Sequence, residues 1–205
     1  ELISASEDMY MTSRSEKAKF NNRHGVGTLL TSGLMRRAKQ IETNSPRILA
    51  QKIKLGKRFL LMINCYAPTR NGNGEDLRLL EECLGRIAGI IEEHKTKNTS
   101  YCIFSDWNVC AAKHANDKKR IKVMQQFLAR IKGTFYVPET PSFTSNMGSC
   151  SWLDGLVTSS DIEVKTLITL DDEYWPDSCS THNPVMAQIC VPGIEMEIKK
   201  GKKKE

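Results

Sequence analysis

Asp106 and Asn108 close the run Tyr101-Cys-Ile-Phe-Ser-Asp106-Trp-Asn108, where an apolar stretch delivers a carboxylate and a carboxamide two residues apart. A strand alternates its side chains with period two, so a chain leaving a sheet here is expected to aim both groups at one ligand. One anionic oxygen beside a neutral amide suits a hard cation or a phosphate-bound water. Taken alone, such a pair serves a turn or a helix cap equally well. Three further segments adjoin apolar runs and carry polar groups that a turn does not require: Asn64-Cys-Tyr66-Ala-Pro-Thr69, Ser151-Trp152-Leu-Asp154-Gly-Leu-Val and Ser180-Thr181-His182-Asn-Pro-Val185. Each also has a plain structural reading. Tyr66 can bond backbone at a strand end, Trp152 can be core, Asp154 can serve a turn, and His182 can be a structural histidine.

The elements that must position these groups are legible from periodicity. Gly25–Leu30 reads as a strand with a glycine-permitted close approach, and Arg47–Leu55 and Arg58–Tyr66 read as a hairpin turning at Gly56-Lys57. The second hairpin strand is apolar on both faces over Phe59–Ile63, so it is expected inside a covered sheet. A helix is predicted over about 75–95, with Leu77, Leu80, Leu84, Ile87 and Ile91 on one stripe and acidic residues opening it, the order its dipole prefers. The 101–104 strand follows, then a second amphipathic helix near 117–132 with Ile121, Met124, Phe127, Leu128 and Ile131 inward. Strands are predicted at 134–137, 142–144, 151–158, 162–170 and 184–192, whereas residues 2–24 are polar and turn-rich. Strand, helix, strand, helix and then mostly strands indicates an α/β sandwich whose sheets are covered by helices.

Composition narrows the class. The chain has 205 residues, 40% hydrophobic and 26% charged, which suits one globular domain over 1–192. No run approaches the roughly 18 apolar residues of a membrane span, so no membrane partner is expected. The seven cysteines are odd in number and scattered, with no Cys-x-x-Cys, which reads as reduced thiols in an intracellular protein, nuclear or cytoplasmic, rather than a disulfide framework or zinc site. The net charge of +6 includes a lysine-rich stretch within 193–205 that reads as a disordered tail. A second basic cluster, Lys113 to Lys122, contains Lys118, Lys119 and Arg120 and is expected to form a positive rim for a polyanion.

Together and in this order, the four polar segments resemble the signatures of the metal-dependent endonuclease/exonuclease/phosphatase superfamily, in particular the apurinic-endonuclease-like domain of non-LTR retrotransposons. In that family the signatures are Asn-x-Tyr-x-Pro, Gly-Asp-(Phe/Leu/Trp)-Asn, (Trp/Arg/Lys)-(Ile/Leu)-Asp-Tyr and Ser-Asp-His-x-Pro-(Val/Ile). The resemblance covers about residues 25–192 and implies a two-sheet α/β sandwich flanked by helices, the DNase I-like fold. It implies a DNA endonuclease using Mg²⁺ or Mn²⁺, with a reverse transcriptase fused to it in the full-length parent. It also implies roles. Asp106 orients and deprotonates the attacking water and binds the metal, and Asn108 fixes the scissile phosphate or helps hold the metal. His182 stabilises charge on the phosphoryl oxygen, Asp154 orients His182, and Tyr66 donates to a phosphate oxygen. Trp152, Lys118, Lys119 and Arg120 are placed at the substrate.

Three departures accompany the resemblance. Thr181 stands where the family carries a metal-associated aspartate, removing a negative charge. The family's first strands, including one ending in Gln-Glu whose glutamate is the principal metal ligand, are missing, and Glu1 falls about where that ligand would be. Ser105 replaces the usual glycine before Asp106. A chain beginning at Glu1 thus reads as a truncated domain with exposed strand edges. The competing expectations are a catalytically impaired domain that binds nucleic acid or protein, and a phosphatase or RNA nuclease of the same superfamily.

Overall fold

Six strands, in the order 38–41, 48–55, 58–66, 99–106, 154–159 and 133–136, form the sheet on which the polar segments converge. The computed structural model describes residues 9–14 (backbone), 26–70, 75–110, 118–170 and 180–193. The strands are β3 Ala38–Ile41, β4 Ile48–Leu55, β5 Arg58–Tyr66, β6 Thr99–Asp106, β7 Gly133–Tyr136 and β10 Asp154–Ser159. The predicted hairpin is present: Leu55 pairs with Arg58 across Gly56-Lys57, and Gly56 takes the left-handed φ of 61° that this tight turn needs. β5 and β6 run parallel, which requires a crossover, and α2 (Glu75–His94) supplies it. Tyr101, Cys102 and Ile103 are fully buried, as a central strand covered on both faces must be.

One face of the sheet is covered by α2 and α3 (Lys118–Ile131). Leu80, Leu84, Ile87 and Ile91 from α2 and Met124, Phe127 and Ile131 from α3 pack there on Leu61, Ile63, Ile103 and Val157. Leu77, Ile121 and Leu128, also expected inward, are only partly buried at the margin of that core. The other face is covered by two separate antiparallel ribbons, β1 (Met9–Arg14) with β2 (Gly27–Thr31), and β11 (Glu163–Thr169) with β12 (Val185–Cys190). Leu30, Ile53, Leu60, Cys102, Leu156 and Ile162 form this second core, with Leu167 and Ile189 packed against it. The Asn64 carboxamide ties β2 down, donating to Gly27 O at 3.0 Å and Thr28 Oγ1 at 2.7 Å. No helix among the described residues is long and apolar enough to cross a membrane.

Several boundaries differ from the sequence reading. A strand forms at 9–14 inside the stretch read as turn-rich; its pairing with β2 carries an irregularity between Met11 and Ser13, which blurs a two-residue period. The edge strand β3, Ala-Lys-Gln-Ile, carries no apolar run because only β4 pairs with it. The strand read as 151–158 is two: β9 (Cys150–Ser151) pairs with β8 (Phe143–Thr144), and β10 begins at Asp154 in the main sheet. Between them, Leu153 O accepts from Trp107 N at 2.7 Å.

At Gly155, β10 leaves no room for a side chain against β7. A Cβ there would lie 2.7 Å from Tyr136 O and 2.7 Å from Phe135 Cε2. The carbonyl belongs to the paired strand, so it cannot swing aside as a flexible side chain would. Gly155→Ala is expected to destabilise the chain by about 2 kcal/mol, the usual scale of overpacking; urea denaturation measures this, and an unchanged midpoint would show that the two strands can part.

Candidate active site

Tyr66, Asp106 and Asp154 lie in one row across three adjacent strands. Tyr66 is the register partner of Asp106 in the parallel β5·β6 pair, and Asp106 is the register partner of Asp154 in the antiparallel β6·β10 pair. Directly paired residues share a face and sit about 5 Å apart, so this register alone brings two carboxylates and a phenol side by side. The row closes the end of the sheet at a cleft of about 460 Å³ whose walls include Asn64, Phe104, Asp106, Asp154, Leu167 and His182.

His182 enters from the segment preceding β12. Two backbone bonds fix that segment, Thr144 N donating to Thr181 O at 3.0 Å and Asn183 N to Ser142 O at 2.8 Å, and within it His182 N donates to the Ser180 side-chain Oγ at 3.0 Å. The Phe143 ring lies 4.9 Å from the imidazole. His182 Nδ1 lies 2.7 Å from Asp154 Oδ2, a hydrogen bond in which the ring N–H donates to the carboxylate. Its Nε2 lies 3.9 Å from Asp106 Oδ2, too far for a hydrogen bond but close enough for charge to matter. Asp154 is itself held, its N–H donating to the buried Ser142 Oγ at 3.0 Å.

The electrostatics follow from burial. Loss of water pushes the Asp106 carboxyl up to about 6, and the neighbouring Asp154 charge adds to this, while the Asn108 N–H and His182 pull the other way. His182 is held above its ordinary value chiefly by its hydrogen bond to Asp154, against the opposing effect of burial. Atoms of Asp106, Asp154 and His182 all lie within 4.8 Å of one another. With His182 Nδ1 engaged by Asp154, the donors left around Asp106 are oxygens and one imidazole edge. Burial first and the Asp154 charge second push the Asp106 carboxyl upward, and a donor set of two carboxylates, a carboxamide oxygen and an imidazole edge fits a hard divalent cation.

Known proteins of this shape exist. No family model matches the chain, and no curated protein matches its sequence. Solved structures do match. The endonuclease domain of TRAS1, a telomere-specific non-LTR retrotransposon, aligns over 90% of this chain and 80% of its own length with TM-score 0.63 at 13% identity. The 3′ phosphatase NExo (D146N) of Neisseria bound to product DNA hairpin aligns over 89% and 80% with TM-score 0.63 at 13% identity. An AP endonuclease of Archaeoglobus fulgidus aligns over 89% and 79% with TM-score 0.63 at 14% identity. The chain has the endonuclease/exonuclease/phosphatase fold.

Within the endonuclease/exonuclease/phosphatase fold the expected residues are distributed unevenly. Asp106, Asp154 and His182 converge, and Tyr66 stands in their row with the Arg47 guanidinium 5.1 Å from its ring centroid. Asn108 reaches the site by a different route from the one expected. β6 ends at Asp106, Trp107 turns into the core with no exposure, and Asn108 adopts a left-handed φ of 49°. The pair is therefore organised by a turn rather than by strand alternation: Asn108 N donates to Asp106 Oδ1 at 3.0 Å, and Asn108 Nδ2 donates to Ala67 O at 2.8 Å. That use of the amide nitrogen leaves the carboxamide oxygen as the atom suited to a cation or a donor.

Arg120 is a correction. It is 2% exposed, its Nη2 donates to Pro68 O at 2.5 Å, and its Nη1 lies 3.6 Å from Asp76 Oδ2, so it belongs to the core and not to a basic rim. Lys118 and Lys119 are exposed in the first turn of α3, whereas the rest of the basic cluster through Asp117 lies outside the described residues. Trp152 is half-buried and does not line the cleft. Thr181 is exposed beside His182. Glu1 and residues 194–205 lie outside the described residues. Sequence reasoning missed Ser142 and Phe143 as supports of Asp154 and His182, since Pro-Ser-Phe-Thr carries no local signal beyond a short strand.

Proposed function

We propose that this chain is a divalent-cation-dependent phosphodiesterase of the nuclease type, acting on DNA in the manner the retrotransposon-endonuclease resemblance implies. The observation that carries the reading is the Asp154–His182–Asp106 chain, with steps of 2.7 and 3.9 Å, in an open cleft where two adjacent strand ends meet the segment before β12. Asp106 and the Asn108 carboxamide oxygen would hold Mg²⁺ or Mn²⁺, which when bound supplies Lewis-acid neutralisation of the phosphodiester charge. Asp106 takes the proton of the attacking water. Burial has already moved its carboxyl toward the pH at which a base is both ionised and basic. His182, charged through Asp154, donates from Nε2 to a phosphoryl oxygen as negative charge grows there. With its amide nitrogen on Ala67 O, Asn108 serves the cation through its oxygen, and Tyr66, in register with Asp106, donates to a phosphate oxygen. Lys118 and Lys119 lie at the start of α3, where a polyanion would find positive charge.

Incubation of supercoiled plasmid with the chain tests the proposal: Mg²⁺ is expected to produce nicked circles and a chelator to abolish them. Nicking that persists in chelator would overturn it.

A second reading, a domain that binds nucleic acid with little turnover, is favoured by Thr181, an exposed hydroxyl where the family pattern has a carboxylate. Thr181→Asp is expected to tighten Mn²⁺ binding about tenfold, because hard-cation affinity follows the carboxylate count, and to raise nicking with it. Calorimetric titration with Mn²⁺ reads the affinity. Unchanged affinity would place the cation elsewhere than beside residue 181.

A further inference from the structure

We propose that Arg120 is a positioning residue for the candidate site, holding the Tyr66–Pro68 segment from inside the core against Asp106 and Asn108. Three consecutive carbonyls of that segment are each taken by a side-chain donor from a different part of the chain. Tyr66 O accepts from Arg47 Nη1 at 3.4 Å, Ala67 O accepts from Asn108 Nδ2 at 2.8 Å, and Pro68 O accepts from Arg120 Nη2 at 2.5 Å. Ala67 N in turn donates to Asp106 O at 2.9 Å. The segment is therefore the bridge between the backbone of Asp106, the side chain of Asn108 and the phenol of Tyr66.

Pro68 makes the Arg120 bond the informative one. A proline has no N–H to give, so this residue can be anchored by polar contacts only through its carbonyl. The donor comes from beneath, from a guanidinium that is 2% exposed and whose counter-charge is Asp76, itself 7% exposed at the start of α2. Burying such a pair brings a desolvation cost that apolar side chains of the same volume would avoid. What a rigid planar fork adds is direction: one arm toward Asp76 and another on a single carbonyl. A polyanion outside the protein cannot reach this guanidinium, so its effect on the site must pass through the segment it holds.

The local ordering stands on the geometry, whereas any effect on turnover rests on the phosphodiesterase reading. The test therefore has two arms. Amide hydrogen exchange is measured on the full chain for the parent, for Arg120→Lys, which keeps the charge but not the fork, and for Arg120→Met with Asp76→Asn, which removes both charges so that neither is left buried alone. In whichever variant keeps a cooperative melt, Ala67 N–H is expected to exchange about tenfold faster or more while Ile87 and Ile103 remain protected. Unchanged Ala67 exchange in a folded variant overturns the proposal. In the nicking assay, kcat is expected to fall with KM unchanged, and the loss to be less than additive with Asn108→Ala, because both side chains steady the same segment. Full additivity would also overturn it. Faster Ala67 exchange in a chain that nicks no DNA would support the positioning role and sink the phosphodiesterase reading alone.

Discussion

Asp106→Ala is expected to lower Mg²⁺-dependent nicking by about 10³-fold or more while leaving the chain folded. The size follows from the two proposed roles lost together: a positioned general base contributes about 10²–10⁴-fold, and the same carboxylate would be the anionic donor for the cation. Equal nicking by Asp106→Ala and the parent, under conditions where chelator stops both, would remove Asp106 from the chemistry.

Asp106→Asn separates function from stability. In chelator, the carboxyl binds its proton more tightly folded, at about 6, than at the ordinary 3.8. Below about pH 4 the carboxyl is protonated in both states and contributes nothing against folding. As pH rises through about 6 the folded chain must ionise a buried acid beside Asp154, and stability falls by an amount on the order of 3 kcal/mol for a gap of about two pKa units. The asparagine variant lacks this cost. It is expected to be inactive yet more stable than the parent near pH 7.5, with the difference vanishing near pH 4, as read by urea denaturation at the two pH values. An asparagine variant less stable at pH 7.5 would show that the carboxylate is paired in a way the geometry does not provide.

His182→Ala is expected to reduce kcat by about 10²–10³-fold, the scale of removing one donor to a developing oxyanion. Asp154→Asn should cost less but move the pH profile. Asp154 raises the His182 pKa through the 2.7 Å bond, so the imidazolium persists to higher pH in the parent. Folded His182 therefore gains its proton more readily than it would unfolded, and this contribution to stability is present below the ordinary histidine pKa and lost as pH rises through the raised one. With asparagine at 154 the alkaline limb of kcat is expected at lower pH. A limb at the same pH in both proteins would mean that His182 does not act as a charged donor.

Part of this site is legible in the sequence. Asp106 closes an apolar run, Asp154 and His182 stand at or just ahead of the apolar starts of β10 and β12, and the helical stripes of α2 and α3 mark the sides that face the sheet, with Leu80, Leu84, Ile87 and Ile91 inward as expected. These features are local: strand-end position depends on a residue's immediate neighbours, and a helical stripe on a spacing of three and four. Arg120 shows where local reading stops. In sequence it is one more cation after Lys118-Lys119, and the partners that bury it, Pro68 O and the Asp76 carboxylate in the first turn of α2, lie on the far side of β6 in chain order. Edge strand β3 and the ribbon strand β1 are illegible for a related reason, since their stability comes from one paired neighbour and not from an apolar run of their own.

The sequence by itself determined which chemistry-bearing residues end on strands, and therefore that an oxygen-rich site could exist at the rim of a sheet. Only the tertiary structure decided that Tyr66, Asp106 and Asp154 share one row, that His182 spans the two carboxylates, and that Asn108 is steered by a left-handed turn rather than by strand alternation. The physical reason is register. A one-residue slip in either strand pair would turn every side chain of that strand to the opposite face, and register is set by distant packing on both faces of the sheet, which no window of sequence contains.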